Sequence, residues 1–335
     1  MPVPAPDLDE DLDGATVLEV QLDARHARLD KALSEALPDV SRARLQALIA
    51  AGAVTLDGQI LSSGSRAAEQ GAYRILMPAP VAADPEPEDL ALTVLFEDAH
   101  LIVVDKPAGM ATHPAPGSET GTLVNALLHH CGDSLSGIGG VARPGIVHRL
   151  DKGTSGVMVA AKHDRAHQGL TALFAAHDIE RTYIALTRGT LTPGRGRIES
   201  RLGRSTHDRK KMAVLKTGGR EAITDYVVEG TFGLPAKAGG APLAARVACT
   251  LHTGRTHQIR VHMASKGAPL LGDPVYGSGP PAQSVRDAIA AAGLTRQALH
   301  AAILGFTHPI TAEALRFETS PPEDIRDLQT RLETL

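Results

Sequence analysis

The sequence predicts an α+β protein with a small N-terminal domain and a larger domain built on a mixed, largely antiparallel sheet flanked by helices and loops. Three observations carry this. The chain has 335 residues, more than one hydrophobic core usually serves. Beyond residue 90, strand-like runs dominate, without the regular strand–helix alternation of a parallel sheet. A proline- and acid-rich stretch, Val81 to Asp89, separates the two parts. The expected divisions are an acidic disordered tail at 1–16, a small domain at 17–80, a linker at 81–90 and the large domain at 91–335.

In the small domain, Leu29, Leu33 and Leu37 are spaced for one helix, from Arg28 to Leu37. Pro38 interrupts it. Ser41 then caps a second helix through Ala51, with Leu45, Leu48 and Ile49 on one face and Gly52 at its end. Ala53 to Ile60 reads as strand, Asp57-Gly58 turn, strand. In the large domain, strands are expected at Leu92–Phe96, Leu101–Val104, Val157–Ala161, Thr182–Leu186, Ala222–Val228 and Ala245–Leu251. Helices are expected around Thr122–His129, Ala166–Ala176 and His257–Ser265, with a terminal one from Glu323 to Leu335. No repeat or low-complexity tract interrupts this order.

The formal charge of −4 argues against a polyanion partner until the charges are placed. Asp7, Asp9, Glu10, Asp11 and Asp13 fill the leading tail, and the remainder sums to +1. Ala83 to Asp98 is acidic as well. Positive charge gathers from Arg195 to Arg220, opposed there only by Glu199 and Asp208. Local clusters set the potential a polyanion meets, so this run reads either as a solvated basic hairpin or as a phosphate-facing surface. Arg28, Lys31, Arg42 and Arg44 form a second group on or beside the small domain's helices. Two cysteines, Cys131 and Cys249, are too few for a disulfide framework or a cysteine zinc site, which points to a reducing cytoplasm. The N-terminus lacks the basic start and apolar run of a signal peptide, and no apolar stretch has the length of a membrane span.

The densest chemical signal is Gly145-Ile-Val-His-Arg-Leu-Asp-Lys-Gly-Thr-Ser-Gly156, followed by an apolar strand. Asp151 stands between Arg149 and Lys152, as a nucleophile or electrostatic stabiliser needs. The Gly153 to Gly156 turn lets another chain approach the backbone closely. By spacing alone, Asp151 reads first as a structural carboxylate in a surface ion pair.

The segment His148-Arg-Leu-Asp-Lys-Gly-Thr-Ser-Gly156 closely resembles the signature of the pseudouridine synthases that act on ribosomal RNA, in the D-type branch that modifies large-subunit rRNA. Three further motifs follow in family order. They are Leu101-Ile-Val-Val-Asp-Lys-Pro-Ala-Gly-Met with His113-Pro114, then Arg181-Thr-Tyr-Ile-Ala-Leu. The last is Leu251-His-Thr-Gly-Arg-Thr-His-Gln-Ile-Arg-Val-His262 with Gly272-Asp-Pro-Val-Tyr-Gly277. Val17–Pro78 resembles an S4-type RNA-binding domain. The acidic tail and a Gly/Ala-rich insert near Ala236–Ala245 depart from the family pattern without touching a motif.

The resemblance implies isomerisation of uridine to pseudouridine in 23S rRNA, with tRNA as the alternative substrate. It makes Asp151 the catalytic carboxylate, acting by covalent attack or by promoting departure of the base. Arg260 is the guanidinium expected to pair with it, with Arg255 as competitor. Tyr183 is expected to pack against the target base and to assist removal of a proton from its ring carbon. Arg149 is expected either to fill the gap left by the extruded uridine or to contact a phosphate. His148, Lys152, Arg255, His257, Arg28, Arg42 and Arg44 complete the expected RNA contacts. Isomerisation has no redox step, and the sequence carries no dinucleotide fingerprint, Walker loop or Cys/His ligand spacing, so no cofactor or metal is expected. His257 and His262 lie five apart, off a common helical face, and with His113 and His148 read as packing or RNA-bonding groups. Lys106 and Pro107 are expected to shape a loop, and the Asp273 to Tyr276 turn to be structural. The expected partner is rRNA, free or within a pre-50S particle, bound by a cytoplasmic monomer.

Overall fold

The computed structural model describes residues 16–37, 40, 42–64, 67–77, 85–115, 117–132, 135–136, 144–205, 208, 211–233, 240–277 and 279–335. The acidic tail, Pro38, Ser41, the first four residues (236–239) of the Gly/Ala-rich insert and the side chain of Arg44 lie outside the described part. The chain divides into two compact units, Met1–Ala82 and Ala83–Leu335.

The first unit holds β1 (Thr16–Leu22), α1 (Leu29–Ala36), α2 (Arg42–Ala50), β2 (Val54–Leu56), β3 (Gln59–Ile60) and β4 (Gly71–Met77). Its sheet runs β1-β4-β2-β3, antiparallel throughout. Alternation explains the outer pair: Val20 and Leu22 of β1 and Tyr73 and Ile75 of β4 are buried between exposed neighbours. They pack on Leu29, Leu33, Leu45 and Ile49 of the helices. Asp57 and Gly58, both at positive φ (48° and 79°), make the tight β2–β3 turn.

The second unit holds β5 (Thr93–Glu97), β6 (Leu101–Lys106), α3 (Leu123–Cys131), β7 (Ser155–Ala161), α4 (Asp164–Ala176), β8 (Glu180–Arg188) and β9 (Arg195–Arg204). These are followed by β10 (Met212–Val214), β11 (Arg220–Phe232), β12 (Ala244–Leu251), α5 (Gln258–Ser265), α6 (Gln283–Ala291), β13 (Leu299–Thr307), β14 (Ala314–Glu318) and α7 (Glu323–Glu333). The sheet order is β10-β9-β11-β12-β8-β13-β7-β6-β5, with β14 on β13. Every pairing is antiparallel except β13 with β7, so the sheet is mixed and the fold is α+β. Strand periodicity sorts its core into two faces. Ile102, Val104, Met158, Ala160, Val247 and Ala301 pack with Leu127 of α3 and Ile259 of α5. Leu101, Val103, Val157, Val159, Leu304 and Phe306 pack with Ala166 and Leu170 of α4.

Part of the expected linker is held on this unit. Asn125 Nδ2 donates to Glu86 O (2.8 Å), Glu88 N donates to Asn125 O (3.0 Å), and the Glu88 carboxylate accepts from Gly121 N (3.0 Å). The acidic stretch from Glu86 is therefore surface of the larger unit instead of free tether. Among the described residues no helix is long and apolar enough to cross a membrane.

Candidate active site

Asp151 sits in the loop that enters β7, a strand flanked by β13 and β6. Thr112 Oγ1 both donates to Leu150 O (2.9 Å) and accepts from Leu150 N (3.2 Å). Gly109 N donates to Lys152 O (2.8 Å), and Arg296 Nη1 to Gly153 O (3.0 Å). Lys106, fully buried, donates through Nζ to Pro107 O (2.9 Å) and Met110 O (2.8 Å), fastening the neighbouring loop. Burial pushes its amine down to about 7. The glycine turn admits a close neighbour, but that neighbour is the protein's own β13. A Cβ at Gly156 (φ 123°) would stand 2.2 Å from Ala301 O, and one at Gly153 would stand 2.7 Å from Gln297 Oε1.

The guanidinium reaching Asp151 is that of Arg260, on the first turn of α5. Its Nη1 donates to Asp151 Oδ2 at 3.1 Å. The competing residue, Arg255, is turned away, its Nε donating to Glu221 O (2.8 Å). The sequence neighbours of Asp151 do not make this pair: Lys152 Nζ donates to Ser118 Oγ (2.9 Å) and Arg149 is exposed. Arg260 has a second and closer acid. Asp273 takes Nε (2.8 Å) and Nη2 (2.9 Å) in a two-point bond, and also accepts from Val275 N and Tyr276 N. The Asp273–Tyr276 turn is thus more than structural: it holds the arginine that meets Asp151.

His257, at positive φ (57°), begins α5. Tyr276 Oη accepts from Met212 N (2.9 Å) and is hydrogen-bonded to His257 Nδ1 (2.7 Å). His257 Nε2 stands 3.8 Å from Asp151 Oδ2. Burial first, and then Arg260 and Arg149, lower its pKa, against the opposite pull of Asp151 and Asp273.

A cavity of about 700 Å³ gathers Asp151, Tyr183, Arg260, His257, Arg255, Arg149 and His148. Tyr183, central in β8 between Cys249 of β12 and Ala301 of β13, is buried, and its phenol is pushed up to about 12 by burial and by Asp151. His148 also lines the cavity, yet its ring serves the fold. Nε2 accepts from Val159 N (3.1 Å), the ring stacks on Phe174 at 4.6 Å, and burial pushes it down to about 3. His262 bonds to Thr224 and Ser200 (2.9 Å each) away from the cavity lining. Lys152 is not among the lining residues. Among the described residues no cluster of three His, Cys, Asp or Glu side chains is placed to hold a metal.

In the first unit, Arg28 and Arg42 both bind buried Asp30, at 2.9 to 3.0 Å, with Gln46 as a further donor. Of these two arginines, expected to grip RNA, Arg42 staples α2 to α1 and Arg28 holds the acid from the start of α1, with part of each side chain still exposed.

Sequence reasoning missed two cavity-side groups. Arg181 lines the cavity two residues before Tyr183 on β8, and the two-residue strand period, which puts both on one face, was the available signal. Asp273 was quoted in a motif but given no part in the chemistry.

Residues 100–265 match the family model described as RNA pseudouridylate synthase, and residues 27–71 match the S4 domain. Ribosomal large subunit pseudouridine synthase D of Zymomonas mobilis is 46% identical over 302 residues, covering 89% of this chain and 92% of that protein. RNA pseudouridine synthase 2, chloroplastic, of Arabidopsis thaliana is 39% identical, covering 90% and 79%. Among solved structures, human RNA Pseudouridylate Synthase Domain Containing 1 has a TM-score of 0.52 at 26% identity, covering 70% of this chain and 85% of that one. Human RNA Pseudouridylate Synthase Domain Containing 4 has a TM-score of 0.53 at 22% identity, covering 72% and 92%, and shares the fold.

Proposed function

The chain belongs to the RNA pseudouridine synthases, and on that premise we propose that it isomerises uridines of large-subunit ribosomal RNA with Asp151 as the catalytic carboxylate. The observation that carries this is the meeting of Asp151, Arg260 and Tyr183 in one cavity large enough for a nucleotide. The names of its relatives support the choice of large-subunit rRNA over tRNA.

The reaction breaks the bond from ribose to a uracil nitrogen, turns the base and rejoins it through a ring carbon, which gives up its hydrogen as a proton while the freed nitrogen takes one up. A uridine stacked in a duplex hides that bond, so the base must leave the stack at a cost of a few kcal/mol. Arg149, exposed at the cavity, is suited to the gap that extrusion leaves. Asp151 then acts at the detached or detaching sugar–base bond, oriented by Arg260. Arg260 is itself immobilised by Asp273, so the pair is in place before substrate arrives. Tyr183 offers its ring to the base. A phenol pushed up to about 12 keeps its proton at neutral pH, so its hydroxyl enters the cycle as a donor and not as a resting base.

Asp151→Asn should bind RNA as the wild type does and lose turnover by about 10³-fold or more. Pseudouridine formed at the wild-type rate would remove Asp151 from the role. Tyr183→Phe keeps the ring, and should leave the melting temperature unchanged while lowering the rate about 10²-fold; an undiminished rate would leave Tyr183 packing only. Comparing pseudouridine positions in rRNA from cells with and without the protein tests the substrate assignment, and release of free uracil would reassign the chain to hydrolysis.

A further inference from the structure

Arg181 is only 6% exposed, yet among the described residues no carboxylate pairs with it. Other well-shielded arginines of this unit do have acids. Arg260 has Asp151 and Asp273, Arg296 has Asp324, and Arg246 has Glu229. Arg181 instead donates through Nη2 to Leu251 O (3.3 Å) and His252 O (3.0 Å), and its Cζ lies 5.4 Å from the Phe174 ring centroid. Its Nε has no hydrogen-bond partner among the described residues. A buried cation without a counter-ion is costly, because desolvation is not offset. Among its neighbours Tyr183 favours the charge, whereas Arg255, which lines the same cavity, opposes it, and Arg220, also lining, opposes Arg255 in turn. Glu221 acts on Arg255 in the opposite direction, from an exposed position.

One flank of the guanidinium is kept open by a glycine. A Cβ at Gly254 would stand 3.2 Å from Arg181 Nη1, and Gly254 is itself an exposed residue of the cavity lining. The arrangement is three guanidiniums lining one cavity, the most buried of them lacking an acid among the described residues and bordered at Nη1 by a glycine.

We infer that Arg181, with Arg255 and Arg220, forms a phosphate subsite that takes a phosphodiester group beside the uridine held at Asp151. This rests on the proposed reaction for what occupies the rest of the cavity. A phosphodiester is a singly charged anion with two free oxygens, which suits a guanidinium better than an ammonium. The bound anion supplies the counter-charge that the fold does not.

The test uses the full chain and an in-vitro transcript of large-subunit rRNA, which carries no pseudouridine. Binding is read in the D151N background across a salt series, and turnover is read separately in the wild type. Arg181→Met should weaken binding by about tenfold and lower the log–log salt slope by about one, the share of a single phosphate contact. It should melt no lower than its parent, since an unpaired buried charge has been removed. A salt slope equal to the parent's overturns the subsite, however the variant melts. Gly254→Ala keeps the charge and crowds Nη1; it should weaken binding about threefold by the same partial loss of one contact. If Arg181→Met does not fold, unchanged affinity in Gly254→Ala is the overturning result. Wild-type enzyme that formed no pseudouridine in the transcript would instead remove the proposed reaction, leaving the phosphate result to stand or fall on its own slope.

Discussion

The two-point bond between Asp273 and Arg260 decides how the cavity's chemistry is held. Asp273 is fully buried, with two guanidinium and two backbone donors on its carboxylate. With Nε and Nη2 engaged by Asp273, Arg260 turns Nη1 towards Asp151 in a set direction instead of swinging between two acids. Asp273→Asn should therefore lower single-turnover rate about tenfold or more with little change in RNA affinity, and should cost about 3 kcal/mol of stability for a broken buried ion pair. An unchanged single-turnover rate would show that Arg260 needs no such hold. At this scale the sequence was legible where a residue type and its motif spacing coincide, as at Asp151, Tyr183 and Arg260. It was not legible at Asp273, whose partner is 13 residues away and is fixed only by the way α5 and the following turn pack. The same limit applies to Arg28 and Arg42, whose charges gave no hint that a buried acid between them would take both.

Among the elements, α1 and α2 of the smaller unit depend on that acid. Arg28 first, and Gln46 and Arg42 after it, hold the Asp30 carboxyl well below the usual carboxylate range, against the opposing effect of burial. A carboxyl depressed in the folded state binds fewer protons there than when unfolded. Its stabilisation is thus present above pH about 4 and is lost as pH falls below it towards the folded value. The smaller unit should lose stability over that acid range, and Asp30→Ala should flatten the dependence while costing about 2 kcal/mol at neutral pH. Circular dichroism melts of both forms between pH 3 and 7 would check it; parallel curves would count against the staple. Helical spacing and the Asp57-Gly58 turn made these elements readable. Strand β13 was harder, because Leu299–Thr307 is buried on both faces and a continuous apolar run carries no period to separate strand from helix. Strand β9 was obscured for the opposite reason, since arginine and glutamate fill its exposed positions and only Ile198 and Leu202 are buried.

Across the whole molecule, two cores that share no residue divide the work: one lies within Val20–Ile75, and the candidate site lies entirely within Ala83–Leu335. Removal of residues 1–82 should leave the larger unit's far-ultraviolet spectrum and its turnover at saturating RNA intact, while weakening affinity for long RNA about tenfold through loss of a second tethered contact. A loss of turnover at saturation would mean that the smaller unit takes part in the reaction itself. The acidic, proline-rich stretch reads as a linker in sequence, and nothing in it reveals that Glu86 and Glu88 are held on the larger unit. The shared arginine has one more consequence. Asp151, Asp273 and Arg260 together carry a formal charge of −1, while Arg149, Arg181, Arg220 and Arg255 stand around the same cavity. Such a map sorts a nucleotide end from end: its uncharged base and sugar can settle beside the acids without repulsion, and its anionic linkage is drawn outward. Orientation of the substrate is in that sense written into the hollow as polarity, before any single contact has formed.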